Sequence, residues 1–279
     1  MRTIKVDLSV SPHFYSPQSG KRVPSLKKIV DGIAKKDLGI VALTSCHTAT
    51  SGIDNRFNDY MKQLGDIAQD WDIDYNAHEG VLSLSAKRSP REFKIMHTQK
   101  VRAYEGERPA YVLVAGLGEI IMPTRDITDT AKEVKDKGGI VLIPDPDTPS
   151  CATFHKAVEI YKSGFADSVQ ISATTPEEQN NLMRTKLIEE EVRSFPSSNA
   201  KRYQDAGTSY ATIQGDINNT EELGKIIRNG EFGSAYGQMS RWQVFLSRDI
   251  HILLSLPGHF FAGGKRREEM QRATGLKKE

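Results

Sequence analysis

The chain has 279 residues, 38% hydrophobic and 27% charged, with 22 glycines and 12 prolines. These proportions fit one large or two small globular α/β domains and exclude a long disordered chain or a fibre. A formal net charge of +2 makes no global case for nucleic-acid binding, which only a local basic patch can carry.

Two cysteines, Cys46 and Cys151, do not make a disulfide framework. The opening Met1-Arg2-Thr3-Ile4-Lys5-Val6-Asp7 lacks the apolar core of a signal peptide. The apolar run Ile250 to Leu256 is too short to span a bilayer. The expectation is a cytoplasmic protein with free, buried thiols and no membrane contact.

Thr3 to Val10 alternates apolar and polar residues as a half-buried strand does. Ser25 to Asp37 carries Leu26, Ile29, Val30 and Ile33 at helical spacing, with Ser25 as N-cap. Gly39 to Leu43 predicts a buried strand and Ile53 to Asp70 a second helix. Val81–Ala86 and Tyr111–Val114 predict strands. Asp126 to Lys137 predicts a helix stopped by Gly138-Gly139. Gly139–Ile143 is the next strand, Thr153–Ser163 a helix and Ser168–Ile171 a strand. Thr175-Pro176-Glu177-Glu178 has the form of a capping box with proline at the first helical position. Tyr210–Ile213 is the last clear strand, and Asn219 with Glu222 caps the helix after it.

Alternating strands and helices imply parallel pairing, since a parallel return needs a crossover of about a dozen residues. An open doubly wound sheet and a closed barrel both satisfy this pattern. Either one gathers its chemistry at the C-terminal ends of the strands. Those ends carry Asp7-Leu8-Ser9-Val10-Ser11-Pro12-His13, then Thr44-Ser45-Cys46-His47, then Pro144-Asp145-Pro146-Asp147, then Gln214-Gly215-Asp216-Ile217-Asn218.

In that order the chain resembles the polymerase and histidinol phosphatase (PHP) family, over roughly residues 3 to 230. The resemblance implies an α/β fold, a distorted (β/α)7 barrel. It assigns residues 1–235 to the barrel and 236–279 to a C-terminal helical extension and basic tail. Family members hydrolyse phosphoesters with two or three metals held at the strand ends. The scaffold positions match at Asp7-Leu8, Ala42-Leu43-Thr44, Gly138-Gly139, Pro146 and Glu222-Leu223-Gly224. The ligand positions mostly do not. The family's two histidines in the first motif fall on Ser9 and Ser11, and its Asp-His pair in the second on Ser45 and Cys46. Its glutamates fall on Leu82 and Gln170, and its histidine before proline on Asp145. Asp216 is kept, but its histidine partner is Asn218.

Hydroxyls and amides are weak neutral donors and do not replace several imidazoles and carboxylates around a hydrolytic metal cluster. The expectation is therefore a PHP-type barrel that has lost its metal centre and works as a binding or scaffold protein, with no cofactor. The alternative is a phosphoesterase or nuclease with one divalent metal in a rearranged site. Its catalytic candidates are Asp145, Asp216 and His47, and its metal candidates Asp7, His13, His47, Asp145 and Asp216, with Asp147 nearby. The plainer expectation is that Asp7 satisfies backbone groups and that Asp145 and Asp147 shape turns.

His78, Glu79, His97 and Glu105 lack metal-motif spacing and are expected at the surface. Met239 to Leu256 predicts a helix with an apolar stripe. Two basic groups are candidates for contact with nucleic acid or a protein assembly. They are Lys87, Arg88 and Arg91, expected near the strand-end mouth, and the tail with Lys265, Arg266 and Arg267.

Overall fold

Strand and helix order is set by a computed structural model that describes residues 2–10, 24–47, 56–123, 125–200 and 205–237. Its centre is an 11-stranded sheet. The strands are β1 (Thr3–Val10), β2 (Ile40–His47), β3 (Trp71–Asn76), β4 (Val81–Ala86), β5 (Glu92–Glu105), β6 (Arg108–Ala115), β7 (Ile140–Pro144), β8 (Ser168–Ser172), β9 (Ser194–Ser197), β10 (Tyr210–Gln214) and β11 (Gly233–Ala235). The helices are α1 (Leu26–Ala34), α2 (Arg56–Met61), α3 (Ile127–Asp136), α4 (Phe154–Lys162), α5 (Glu177–Glu189) and α6 (Thr220–Asn229).

The sheet curls into a nearly closed barrel. Its ring runs β1-β2-β5-β6-β7-β8-β9, and a parallel bridge between Val10 and Ala200 brings the end of β9 back to β1. β1 shares its free edge: Thr3–Val6 pair with β10, leaving the C-terminal half for this closure. The α/β barrel expected from the strand ends is thus present.

The pairing expected to be parallel throughout is mixed. β1/β2, β2/β5, β7/β8 and β8/β9 are parallel, but β3 to β7 form a continuous antiparallel meander. The reason is connection length. Gly106-Glu107 alone joins β5 to β6, with Gly106 at φ +59° supplying the left-handed residue of a tight hairpin. No crossover helix fits there. β6 therefore runs against the other ring strands, and the C-terminal ends of β1, β2, β5, β7, β8 and β9 form one mouth.

Alternation sorts the side chains. Ile40, Ala42, Met96, Leu113, Leu142 and Phe195 belong to one apolar cluster inside the barrel, floored by Leu223 and Ile227 of α6. The intervening Val112, Val114, Val141, Ile143, Val169 and Ile171 pack outward beneath α3, α4 and α5. A third cluster joins β2, β4 and β5 to α1 and α2 through Val41, Leu43, Ile95, Ile29 and Tyr60. The inward face turns polar towards the mouth, where the alternation continues through Thr44, Thr98, Lys100, Gln170, Ser172 and Ser197.

Helix ends follow local chemistry. Ser25 accepts from the Lys28 N–H, Asp126 from Thr128 and Asn219 from Glu222. The helix expected over Ile53–Asp70 is shorter: α2 stops at Met61 and a 3-10 turn follows at Leu64–Asp66, with residues 51–55 outside the description. The capping box at Thr175 does not form. Pro176 takes the N-cap position with no side-chain cap, and Thr175 Oγ1 lies 3.3 Å from Ser172 Oγ. Asn180 closes this entry by donating to the carbonyls of Ser172 (2.9 Å) and Thr175 (3.1 Å).

Candidate functional site at the barrel mouth

Asp7 sits at the seam where β9 meets β1 and is fully buried. One carboxylate oxygen accepts from Ser198 Oγ at 2.5 Å and from the Gly207 N–H at 2.9 Å. The other accepts from the N–H groups of Ser198 (3.2 Å) and Ser9 (3.3 Å) and from Ser197 Oγ (3.3 Å). Burial pushes its pKa above the ordinary carboxylate value, and the hydrogen bonds from Ser198, Gly207 and Ser9 oppose that shift. The residue joins three segments of the barrel rim.

The loop after β7 is held by its own aspartates. Asp145 Oδ1 accepts from the Ser172 N–H at 2.8 Å, joining the ends of β7 and β8. Asp147 Oδ1 accepts from the Phe154 N–H at 2.9 Å at the start of α4. Asp145, Asp147 and Ser150 have φ of +37°, +63° and +63°, and Asn199 across the mouth has +46°. Left-handed backbone at non-glycine residues costs of order 1 kcal/mol each and persists where surrounding contacts enforce it.

Between this loop and α5 lies a cavity of about 230 Å³, lined by Lys100, Asp145, Thr148, Cys151, Thr174, Thr175, Gln179 and Asn199, with Pro149 and Pro176. The Lys100 ammonium lies 4.7 Å from the centre of the Tyr111 ring, a cation–π contact that holds it on the inner face of β5. Asn199 donates to Thr174 Oγ1 at 3.2 Å. Burial raises the pKa of the Cys151 thiol, with a smaller raising effect of the Asp145 carboxylate, against smaller lowering effects of Lys100, Thr148 and Arg108. A thiol so placed is a poor nucleophile.

The proposed site residues do not all meet. Asp7, Asp145 and Asp147 lie at the mouth, and His47 ends β2 opposite Val101. Asp216 is at the other end of the barrel: β10 runs antiparallel to β1, with Gln214 opposite Thr3, and the Gly215 N–H donates to the Arg2 carbonyl. There Asp216 borders a separate cavity of about 300 Å³ with Arg2, Glu92, Lys94 and Asn218. The rearranged site of Asp145, Asp216 and His47 is not assembled in this geometry. His13 lies outside the described residues, as do the stripe from Met239 to Leu256 and the tail with Lys265, Arg266 and Arg267.

The basic group in the β4–β5 turn also lies away from the mouth, because β5 begins beside the start of β2. Arg91 is paired with Asp37 at 3.2 Å, and Lys87 donates to the Ala68 carbonyl at 2.7 Å. The residues expected at the surface have structural work. His97 is buried, stacked on Phe57 at 4.4 Å, with Nε2 3.2 Å from Ser45 Oγ. Glu79 receives the Thr220 N–H and hydroxyl at the start of α6. Glu105 receives the N–H and hydroxyl of Thr153 at the start of α4. Lys100 and Asn199 escaped sequence reasoning because β5 and β9 were not recognised as strands, whereas Thr174 follows β8, a predicted strand whose end residues were not read as part of the mouth.

Among the described residues, no three His, Cys, Asp or Glu side chains are grouped so as to hold a metal ion. No helix among them is long and apolar enough to cross a membrane.

No family model matches the chain, and no curated protein matches it by sequence. Solved structures do resemble it. PsfC from Pseudomonas syringae PB-5123 superposes with a TM-score of 0.59 at 13% identity, over 91% of this chain and all of PsfC. A two-domain protein from Bacteroides vulgatus ATCC 8482, containing a predicted PHP-like metal-dependent phosphoesterase, superposes with a TM-score of 0.54 at 12% identity. That match covers 85% of this chain and 65% of the Bacteroides protein. The fold is a PHP-type barrel. At these identities the likeness concerns the fold, and the PHP-type barrel of this chain carries its own set of mouth residues.

Proposed function

We propose that this PHP-type barrel works by binding, as a non-catalytic binding or scaffold protein without the hydrolytic metal centre associated with the fold. The observation that carries this reading is Asp7. It is the carboxylate retained from the first motif, and both its oxygens are filled by donors from Ser9, Ser197, Ser198 and Gly207. A metal ligand must offer a free lone pair towards the cation. The neighbouring chemistry points the same way. Ser45 faces His97 on the outer side of the sheet, Asp145 Oδ1 is engaged by Ser172, and the cavity presents a lysine ammonium, which repels a cation. The described residues do not fit a metal cluster.

Metal analysis of protein purified without chelators tests the proposal, together with a phosphomonoesterase assay in added Mn²⁺, Zn²⁺ or Mg²⁺. The expected result is no stoichiometric transition metal and no metal-dependent phosphate release. Tightly bound metal at two or more ions per chain overturns the proposal, as does metal-dependent turnover abolished by Asp145→Ala.

A further inference from the structure

We propose that the cavity at the end of the barrel where β1, β2 and β5 begin takes a small aliphatic zwitterion of the α-amino acid type. This site lies opposite the mouth, so the inference goes beyond the binding function proposed above and does not rest on the reading of the mouth.

Strand register builds one wall of the cavity. Lys94 stands between Ile40 of β2 and Ser83 of β4, and Glu92 is opposite Ser85. The next row along the same face, Ala42, Met96 and Val81, belongs to the apolar interior of the barrel. By alternation Lys94 therefore holds an inward position beside that interior. Its ammonium is half-buried and donates to the carbonyls of Ile217 at 2.7 Å and Asn218 at 3.4 Å. An ammonium has three protons, which leaves one for a ligand, and two neutral carbonyls do not cancel its charge.

Four charged side chains line the cavity, two of each sign. Arg2 and Glu92 pair with each other at 3.2 Å. Lys94 and Asp216 make no ion pair with each other or with any other described residue. A cation on β5 and an anion on the loop after β10 thus border one space without neutralising each other. A simple ion complements one of them and opposes the other, whereas a zwitterion complements both. A half-buried ammonium without a counter-ion carries a desolvation cost that a bound carboxylate offsets. Depth sets the orientation: Asp216 is exposed and Lys94 is not, so the ligand's carboxylate enters and its ammonium stays at the rim. The half-buried Ser83 hydroxyl bonds to no described residue. Being directly opposite Lys94, it is a second donor for the same carboxylate. The Asn218 side-chain amide is already taken by Glu222 at 3.2 Å and is not counted as a donor.

Ile4, Ile40 and Ile217 supply the apolar part of the lining, which favours an aliphatic side chain over a second polar group. At about 300 Å³ the cavity is at the lower end of the range for small-molecule sites. That size matches one amino acid and excludes a folded peptide.

The test uses the full chain in EDTA, with L-leucine as the probe and two analogues that each lack one charge. Isocaproate lacks the ammonium and isoamylamine lacks the carboxylate. Calorimetry gives the affinities, and amide chemical shifts give the place. Leucine is expected to bind most tightly of the three and to shift amides of residues 83–85, 92–94 and 216–218. Lys94→Met should weaken leucine and isocaproate alike by about tenfold or more. Asp216→Asn should weaken leucine by about two- to fivefold, the range of an exposed ion pair, and leave isocaproate unchanged. Absence of leucine binding overturns the inference, as do shifts confined to other residues or leucine affinity unchanged in Asp216→Asn. Isocaproate binding as tightly as leucine makes this an anion site and isoamylamine binding as tightly makes it a cation site; either result overturns the inference. The shifts are read on the unmodified chain and Asp216 is exposed and unpaired among the described residues, so the matter is decided even if Lys94→Met does not fold. Failure here leaves the reading of the mouth standing, and metal found at the mouth leaves this site standing.

Discussion

Replacing Asp7 by alanine is expected to loosen the closure of the barrel, with a size that follows from its partners. The substitution removes the acceptor of the Ser198, Gly207 and Ser9 N–H groups in a fully buried site, those of Ser198 and Gly207 lying closest to it. Each orphaned buried donor costs about 1–3 kcal/mol, so the two together cost about 2–6 kcal/mol. Release of a desolvated carboxylate offsets part of this, leaving a net loss of about 2–4 kcal/mol, a large share of the roughly 5–15 kcal/mol of a typical domain. Asp7→Asn should fall between wild type and alanine. Its oxygen can keep the short bonds to Ser198 Oγ and Gly207 N–H, but its NH2 then faces the N–H groups of Ser198 and Ser9.

The pH dependence has a definite sign. Asp7 is held above its ordinary pKa by burial, so the folded state binds its proton more tightly than the unfolded chain does. The stability from protonated Asp7 is fully present below the unfolded value and is lost as pH rises through the raised one. The penalty of Asp7→Asn should therefore be larger near about pH 4 than near about pH 8. Urea midpoints followed by circular dichroism, with and without EDTA, measure all three effects. An alanine variant within about 0.5 kcal/mol of wild type refutes the structural role. So does a wild-type Tm that rises with Mn²⁺ or Zn²⁺ and loses that rise in Asp7→Asn, because the carboxylate would then face a metal.

Two further expectations concern the rest of the barrel. Asp167 is buried between Lys135 (2.9 Å), Arg228 (2.6 Å) and the Val141 N–H (2.9 Å). Asp167→Ala should cost about 3–5 kcal/mol in urea unfolding, because it leaves Lys135 largely buried and unpaired. Arg228, 46% exposed at its side chain, should cost only about 1 kcal/mol as alanine, and the opposite ranking would contradict this account. A Cβ added at Gly118 would stand 1.7 Å from the Ala77 carbonyl oxygen, whereas one at Gly65 meets nothing within 4 Å. Gly118→Ala should lower stability by about 3 kcal/mol or more and Gly65→Ala by less than about 0.5 kcal/mol, with thermal melts as the measure.

Elements with one dominant periodicity were legible in advance. Leu26, Ile29, Val30 and Ile33 do line the buried face of α1, and Asn219 does cap α6. β5 was not legible, because its inward face changes from Met96 to Thr98, Lys100 and Arg102 along its length. A strand that is apolar at the barrel floor and polar at the mouth shows no single alternation pattern. The hairpin signal at Gly106 was present, but without β5 it had nothing to join. His97, Glu79 and Glu105 were misplaced for a related reason: each is satisfied by a partner more than about 20 residues away, Ser45, Thr220 and Thr153, which composition does not register.

The sequence by itself determined most of the kinds of element and the order of the strand ends, since these depend on residue identity and short-range spacing. Tertiary structure decided which strand ends share a mouth. The reversed direction of β10 carried Asp216 to the far end, and the polar half of β5 brought Lys100 in beside Asp145. Direction and register arise from pairing between distant segments, where a single reversed strand moves a side chain by the whole height of the barrel. The nearly neutral overall charge thus includes a mouth where carboxylates hold the rim and a lysine is left facing the cavity.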